Sequence, residues 1–266
     1  MSVLVVIPAR YASSRYPGKP LTMLTGATGE ARSLIERTWA AASAISGVGR
    51  VVVATEDERI RTACAGFGAE VVMTSDSCRN GTERCAEALE ALGQDFDFVV
   101  NLQGDAPLTP PWFVEDLIGG LQADASAGVA TPVLACDGHA HASFLEDRAA
   151  GRVGGTTAVF GRDGQALYFS KEVIPYTGTR YPDTARTPVF HHVGVYAYRP
   201  DALRAYPGWP VGPLEELEGL EQLRFLENGR RVRCVEVAAR GRQFWELNNP
   251  EDVPRIEAMM RQMGLR

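Results

Sequence analysis

The chain has 266 residues, 45% of them hydrophobic and 23% charged, and a net charge of −6. The length allows a sizeable core in one large α/β domain or two small ones. The acidic balance excludes a global basic face for nucleic acid, no apolar run can span a membrane, and five cysteines without a CxxC spacing exclude a disulfide framework or thiolate zinc site.

The first apolar run, 3–7, reads as a fully buried strand. It leads into Ile7-Pro8-Ala9-Arg10-Tyr11-Ala12-Ser13-Ser14-Arg15-Tyr16-Pro17-Gly18-Lys19-Pro20-Leu21. Helical spacing follows over 33–44, a strand over 51–54, a helix over 57–67 and a short strand over 71–73. Residues 81–92 are helical and 98–102 form a fourth strand. This alternation predicts a Rossmann-like, mostly parallel sheet with helices on both faces, so the fold class is α/β. Ligands of such sheets sit beyond the carboxyl ends of the strands. Arg10, Thr55 and Gln103 each follow a strand and fall on that rim.

After Thr131 the pattern becomes mixed. Residues 157–160 and 166–169 flank Asp163-Gly164 and predict a hairpin. A strand over 193–198, a helix over 215–228 stopped by Gly229, and a strand over 232–237 follow. A closing helix over 250–263 carries Glu251 and Asp252 in its first turn. His139-Ala140-His141 reads as a solvated loop, and the cysteines read as small core residues. No linker or repeat stands out, and the mixed part reads as an insertion in the sheet. The first strand begins at once, without a leader-like segment, so the expected compartment is the cytoplasm.

In the loop after the first strand, small residues alternate with Arg10, Arg15 and Lys19. Small residues let backbone N–H groups approach an anion, and fixed cations neutralise it. A nucleoside triphosphate is the natural guest, held by Pro8, Ala9, Arg10, Ser13 and Lys19. A second cluster is Asn101-Leu102-Gln103-Gly104-Asp105-Ala106-Pro107. Asp105 suits Mg²⁺, which takes hard oxygen ligands and keeps waters and substrate phosphates; taken alone, it equally suits a turn former. In Arg79-Asn80-Gly81-Thr82-Glu83-Arg84, Thr82 fits a helix N-cap and Gly81 a close backbone approach.

These segments resemble the 3-deoxy-manno-octulosonate (Kdo) cytidylyltransferase branch of the sugar nucleotidyltransferases. The first loop resembles its Pro-Ala-Arg-Tyr-Ala-Ser-x-Arg-x-Pro-Gly-Lys-Pro-Leu form, and Gly81-Thr82-Glu83-Arg84 its Ser-Gly-Thr-Glu-Arg segment. Tyr168-Phe169-Ser170-Lys171, Ile174-Pro175, His191-His192-Val193-Gly194-Val195-Tyr196, Pro213-Leu214-Glu215 and Leu220-Glu221-Gln222-Leu223-Arg224 resemble further family stretches. The resemblance implies transfer of CMP from CTP to an acidic sugar, with Mg²⁺ as cofactor and release of pyrophosphate. It implies catalytic roles for Arg10, Arg15, Lys19 and Asp105, and nucleotide contacts by Thr55, Arg79, Gly81, Thr82 and Gln103. Gln103, Tyr196, His192, Glu221 and Gln222 are implied to hold the acceptor; from the residues alone, Glu221 and Gln222 fit a solvated helix face. A homodimer is implied, as is one nucleotidyltransferase domain over 1–266. Its nucleotide part covers about 1–130 and its acceptor and dimerisation part about 131–245.

Departures from the family form fall at Ala106, at the loop 24–32, at 154–157 and at Glu246-Leu247-Asn248-Asn249. There the family has Gly-Val-Asp-Thr, so Asn248 stands in place of a second metal-binding carboxylate. An amide oxygen ligates Mg²⁺ without adding negative charge. Two alternatives remain open: the same chemistry on a small acid such as phosphonoformate, and a nucleotide-binding paralogue without turnover.

Overall fold

Four apolar runs become four parallel strands. The computed structural model describes residues 1–12, 16–153, 155–242 and 245–265; Ser13 and Arg15 lie outside them. By its internal contacts the chain divides into two compact units, Met1–Glu115 with Ala239–Arg266, and Asp116–Ala238.

In the first unit, strand β1 (Val3–Pro8) is buried along its whole length. Next come the short strands β2 (Met23–Thr25) and β3 (Ala31–Ser33), then helix α1 (Leu34–Ser43). Strand β4 (Arg50–Thr55), helix α2 (Glu58–Gly66), strand β5 (Glu70–Met73), helix α3 (Gly81–Leu92) and strand β6 (Phe98–Leu102) complete the alternation. The sheet order is β5-β4-β1-β6, all parallel, with Val5 between Val51 and Val100. Ser33, Asp57 and Asn80 accept backbone N–H groups at the starts of α1, α2 and α3, and left-handed Gly93 stops α3.

Residues 24–32 are a small antiparallel hairpin, β2 with β3, rather than a loop. Buried Arg37 fixes it by donating from Nη2 to the carbonyls of Leu24 at 2.7 Å and Glu30 at 2.8 Å. Leu24 joins Leu34, Leu108, Leu247, Ile256, Met259 and Met260 in one apolar cluster, which returns the end of the chain to this unit.

Helix α4 (Pro111–Ala123) leads into the second unit. There follow β7 (Val129–Asp137), α5 (Gly138–Ala149), β8 (Thr156–Phe160), β9 (Ala166–Ser170), β10 (Arg186–His192) and β11 (Val195–Tyr198). Helices α6 (Pro200–Ala205), α7 (Pro213–Glu218) and α8 (Leu223–Glu227) precede strand β12 (Val232–Glu236). Strand β7 is the hub: antiparallel to β10 and β11, parallel to β12. The hairpin β8–β9 turns at Gly164, with φ 76°. The last helix, α9 (Val253–Gln262), belongs to the first unit.

Three local readings are corrected. His139 and His141 lie on α5, not on a solvated loop, and His141 is buried. Asp137 caps this helix, a signal masked by the apolar strand before it. The helix expected over 215–228 is two short ones, because Gly219 adopts φ 62° and ends the first. The closing helix begins with a 3-10 turn, Pro250–Asp252, before α9.

Candidate active site

In the first unit, the rim is made by the ends of β1, β4 and β6. The Ala9 N–H donates to the Ala54 carbonyl at 2.9 Å, fastening the start of the loop to β4. Pro8, Ala9 and Thr55 are buried, so they offer main chain more than side chain to a ligand. The Thr55 hydroxyl accepts the Asp57 N–H at 3.2 Å, beside the start of α2. Arg10 is exposed.

The loop is braced at its neck. The Gly18 N–H donates to the Tyr11 carbonyl at 2.9 Å, and the Arg59 guanidinium lies 3.3 Å above the Tyr11 ring centre. The Tyr11 N–H donates to Glu56 Oε1 at 3.2 Å, and Glu56 Oε2 pairs with buried Arg84 at 2.9 Å. Gly18 has φ 73°, and a Cβ there would meet the Tyr11 ring at 3.1 Å. Left-handed backbone and a ring overhead leave room for glycine alone. The next residue, Lys19, places Nζ 2.6 Å from Asp105 Oδ2, with both side chains partly exposed.

Asp105 stands on a turn closed by the Ala106 N–H on the Gln103 carbonyl at 3.1 Å. A Cβ on Gly104 would come within 2.7 Å of the Pro8 carbonyl oxygen, so this glycine permits the close approach of the two loops. The Leu247 N–H donates to the Asp105 carbonyl at 2.9 Å, which ties the segment holding Asn248 to the acid. Asp252 is committed elsewhere: its Oδ2 accepts the N–H groups of Asn248 and Asn249 at 3.0 and 2.7 Å, and its Oδ1 accepts Trp245 Nε1–H at 3.0 Å. It therefore does not replace the missing carboxylate at 248. Among the described residues no group of three or more His, Cys, Asp or Glu has the arrangement of a metal site.

At the start of α3 the cap is Asn80, whose Oδ1 accepts the Glu83 N–H at 2.9 Å. Thr82, the expected cap, is inside the helix and 1% exposed. Asparagine directly before a glycine outcompetes a threonine one residue further on for the Ncap geometry. Glu83 holds Arg79 through an ion pair of 2.8 Å and by accepting its N–H at 2.8 Å. A Cβ on Gly81 would meet the amide of Gln103 at 2.9 Å and that of Asn101 at 3.0 Å. Gly81 and Gln103 are thus brought together. Asn101 was not singled out by the sequence reading, although a polar residue inside the run Phe-Val-Val-Asn-Leu is the signal that finds it.

In the second unit, the Tyr196 hydroxyl donates to Gln222 Oε1 at 3.0 Å. Gln222 is 1% exposed and its Nε2 has no partner among the described residues. This is a buried position, not a solvated helix face. The His192 ring packs 5.7 Å from Tyr196 and 4.9 Å from Phe169. Thr131 Oγ1 donates to the Val195 carbonyl at 2.9 Å and lies 2.8 Å from His192 Nε2. Burial pushes the His192 pKa down to about 3, with neighbouring His191 adding to the effect; the ring is neutral at physiological pH. Glu221 is fixed through its main chain, its carbonyl accepting the Tyr206 hydroxyl at 3.0 Å. Behind this turn, fully buried Arg224 pairs with Glu215 through two bonds of 2.6 and 2.7 Å.

A parallel sheet whose carboxyl rim holds a cationic glycine loop and a facing acid defines a nucleotidyltransferase. A cytidylyltransferase family model matches residues 4–232. The chain belongs to the cytidylyltransferase family and is a CTP-dependent nucleotidyltransferase. It is 47% identical over 264 residues to 3-deoxy-manno-octulosonate cytidylyltransferase of Maricaulis maris, covering 99% of each chain. It is 39% identical over 260 residues to 8-amino-3,8-dideoxy-manno-octulosonate cytidylyltransferase of Shewanella sp., covering 97% of this chain and 98% of that one. Among solved structures it resembles CMP:2-keto-3-deoxy-manno-octonic acid synthetase complexed with CTP. That likeness has a TM-score of 0.83 and 35% identity, over 99% of this chain and 100% of the other.

Proposed function

We propose that this enzyme transfers CMP from CTP to the anomeric hydroxyl of 3-deoxy-manno-octulosonate. The hydroxyl oxygen attacks the α-phosphorus in line, the bond to the β-phosphate breaks, and pyrophosphate leaves. The transfer chemistry rests on one observation, the Lys19–Asp105 pair at the carboxyl rim. The choice of acceptor rests on the full-length similarity to the Maricaulis maris enzyme.

Little covalent work falls to the protein; positioning and charge neutralisation carry the rate. Arg10, Arg15 and Lys19 hold the triphosphate and the leaving pyrophosphate. Pro8, Ala9, Ser13, Thr55, Arg79, Gly81, Thr82 and Gln103 complete the nucleotide site. Tyr196, Gln222, Glu221 and neutral His192 orient the sugar acid. The unspent Nε2–H of buried Gln222 supports this role, since it is a donor awaiting an acceptor.

The donor set fits Mg²⁺ bound largely through substrate. Asp105 supplies a partly exposed carboxylate, and the Leu247–Asp105 main-chain bond keeps the Asn248 segment beside it. The remaining ligands are then phosphate oxygens and water, as is usual for this ion. When bound, Mg²⁺ neutralises phosphate charge and favours the ionised hydroxyl. A homodimer in the cytoplasm completes the reading.

The test is pyrophosphate release with Mg²⁺ from CTP or UTP, against Kdo, its 8-amino analogue and phosphonoformate. CTP with Kdo is expected to react fastest. Equal turnover with UTP, or release with phosphonoformate alone, overturns the assignment of base or acceptor respectively. No release with any acid leaves a binding protein instead.

A further inference from the structure

Asn101 is the next-to-last residue of β6, pairs with Val6 of β1 and has no exposed surface. Both Nδ2 and Oδ1 lack a hydrogen-bond partner among the described residues. A buried amide with donor and acceptor both unspent is costly, and folded proteins rarely keep one without a use. Its surroundings point to the use. Asn101 lies in β6, and Gln103 is the first residue beyond its end. Their amide heads converge on Gly81, at 3.0 and 2.9 Å from the place a Cβ would take. Any larger residue at 81 would drive into this pair. Gln103 is half-buried, whereas Asn101 has no exposed surface.

We infer that Asn101 is a positioning residue that orients the Gln103 carboxamide when the nucleotide engages it. A glutamine carboxamide carries an acceptor oxygen and a donor nitrogen, and only one of them can face a given group on the base. A second amide behind it, with one donor and one acceptor available, fixes which end faces the base once the ligand draws Gln103 into line. The inference rests on the reading of Gln103 as a nucleotide contact.

The test is a double-mutant cycle with Asn101→Leu and Gln103→Ala, measuring kcat and KM with CTP and UTP together with the melting temperature. Leucine has a similar volume and carries no unsatisfied groups, so Asn101→Leu is expected to melt at or above the parent temperature. Its kcat/KM for CTP is expected to fall about tenfold, with a smaller fall for UTP, and the double variant is expected to be no worse than Gln103→Ala alone. Parental kinetics in Asn101→Leu, or losses that add in the double variant, overturn the positioning role. If Asn101→Leu does not fold, Asn101→Ser completes the same cycle, because its shorter side chain also loses reach to Gln103. If Gln103→Ala alone leaves CTP kinetics intact, the reading of Gln103 fails, a result separate from the behaviour of Asn101.

Discussion

Lys19 Nζ and Asp105 Oδ2 lie 2.6 Å apart, although 86 residues separate them in the chain. The contact joins the loop after β1 to the turn after β6, two neighbouring strands of the parallel sheet. Each partner is charged for a different ligand: the ammonium for phosphate, the carboxylate for a metal ion. Held against each other, they neutralise a site that must otherwise carry unpaired charge. In the proposed function, substrate phosphate would take the ammonium and its metal the carboxylate, replacing this one contact by two.

Lys19→Ala is expected to lower turnover by about two to four orders of magnitude, the range seen when one transition-state charge partner is removed. The variant should remain folded, since Gly18 and the Tyr11 carbonyl hold the loop through main-chain contacts. Steady-state kinetics at saturating CTP checks this; near-parental kcat removes Lys19 from the chemistry.

Asp105→Asn is expected to abolish activity, whereas Asn248→Ala should cost about tenfold or less, because the side chain at 248 brings no charge to the ion. The segment itself stays in place, since it is the Leu247 main chain that binds Asp105. Asn248→Asp is expected to lower the Mg²⁺ concentration needed for half-maximal rate. Magnesium titrations of the three variants decide it: equal damage from Asn248→Ala and Asp105→Asn means that Asn248 holds substrate or geometry.

Two adjacent histidines of β10 predict an acid limit to stability. The His192 pKa falls from 6.5 to about 3 and the His191 pKa to about 4, both through burial. The unfolded chain therefore binds protons that the folded chain refuses. Their neutral packing is fully stabilising above pH 6.5 and is lost as the pH falls below it, by about 1.4 kcal/mol per pH unit for each histidine. His192→Gln should flatten this fall between pH 6.5 and pH 4. Urea denaturation across that range tests it; an unchanged slope contradicts the buried neutral ring.

The first unit was legible because its strands are continuous apolar runs and its helices carry polar caps, so period and punctuation agree. The rim was legible for a related reason: Gln103 and Asp105 closely follow β6, and Lys19 stands out in a loop of small residues and cations after β1. The second unit gave less. Residues 186–192 of β10 read Arg-Thr-Pro-Val-Phe-His-His, too polar to declare a strand, yet His192 is buried there. The break at Gly219 hid inside a pattern of glutamates and leucines with good helical spacing. Asn101 is marked locally only as a polar residue inside an apolar run; that its amide lies beside Gly81, 20 residues earlier, is encoded by no local pattern.

Gln222 gives the most direct test of the acceptor role. Tyr196 occupies its oxygen at 3.0 Å and so fixes the amide orientation, which leaves Nε2–H as the free end. Gln222→Met keeps the volume and removes that donor. The KM for Kdo is expected to rise by about one to two orders of magnitude, while the KM for CTP changes little; a lost hydrogen bond to a charged group corresponds to roughly 1.5–3 kcal/mol. Tyr196→Phe should have a smaller effect in the same direction, because it frees the amide to turn without removing it. Thermal melting keeps folding separate from binding, as the methionine variant loses a bond to Tyr196 but also sheds an unsatisfied buried donor. A rise in the KM for CTP with that for Kdo unchanged would move Gln222 from the acceptor to the nucleotide.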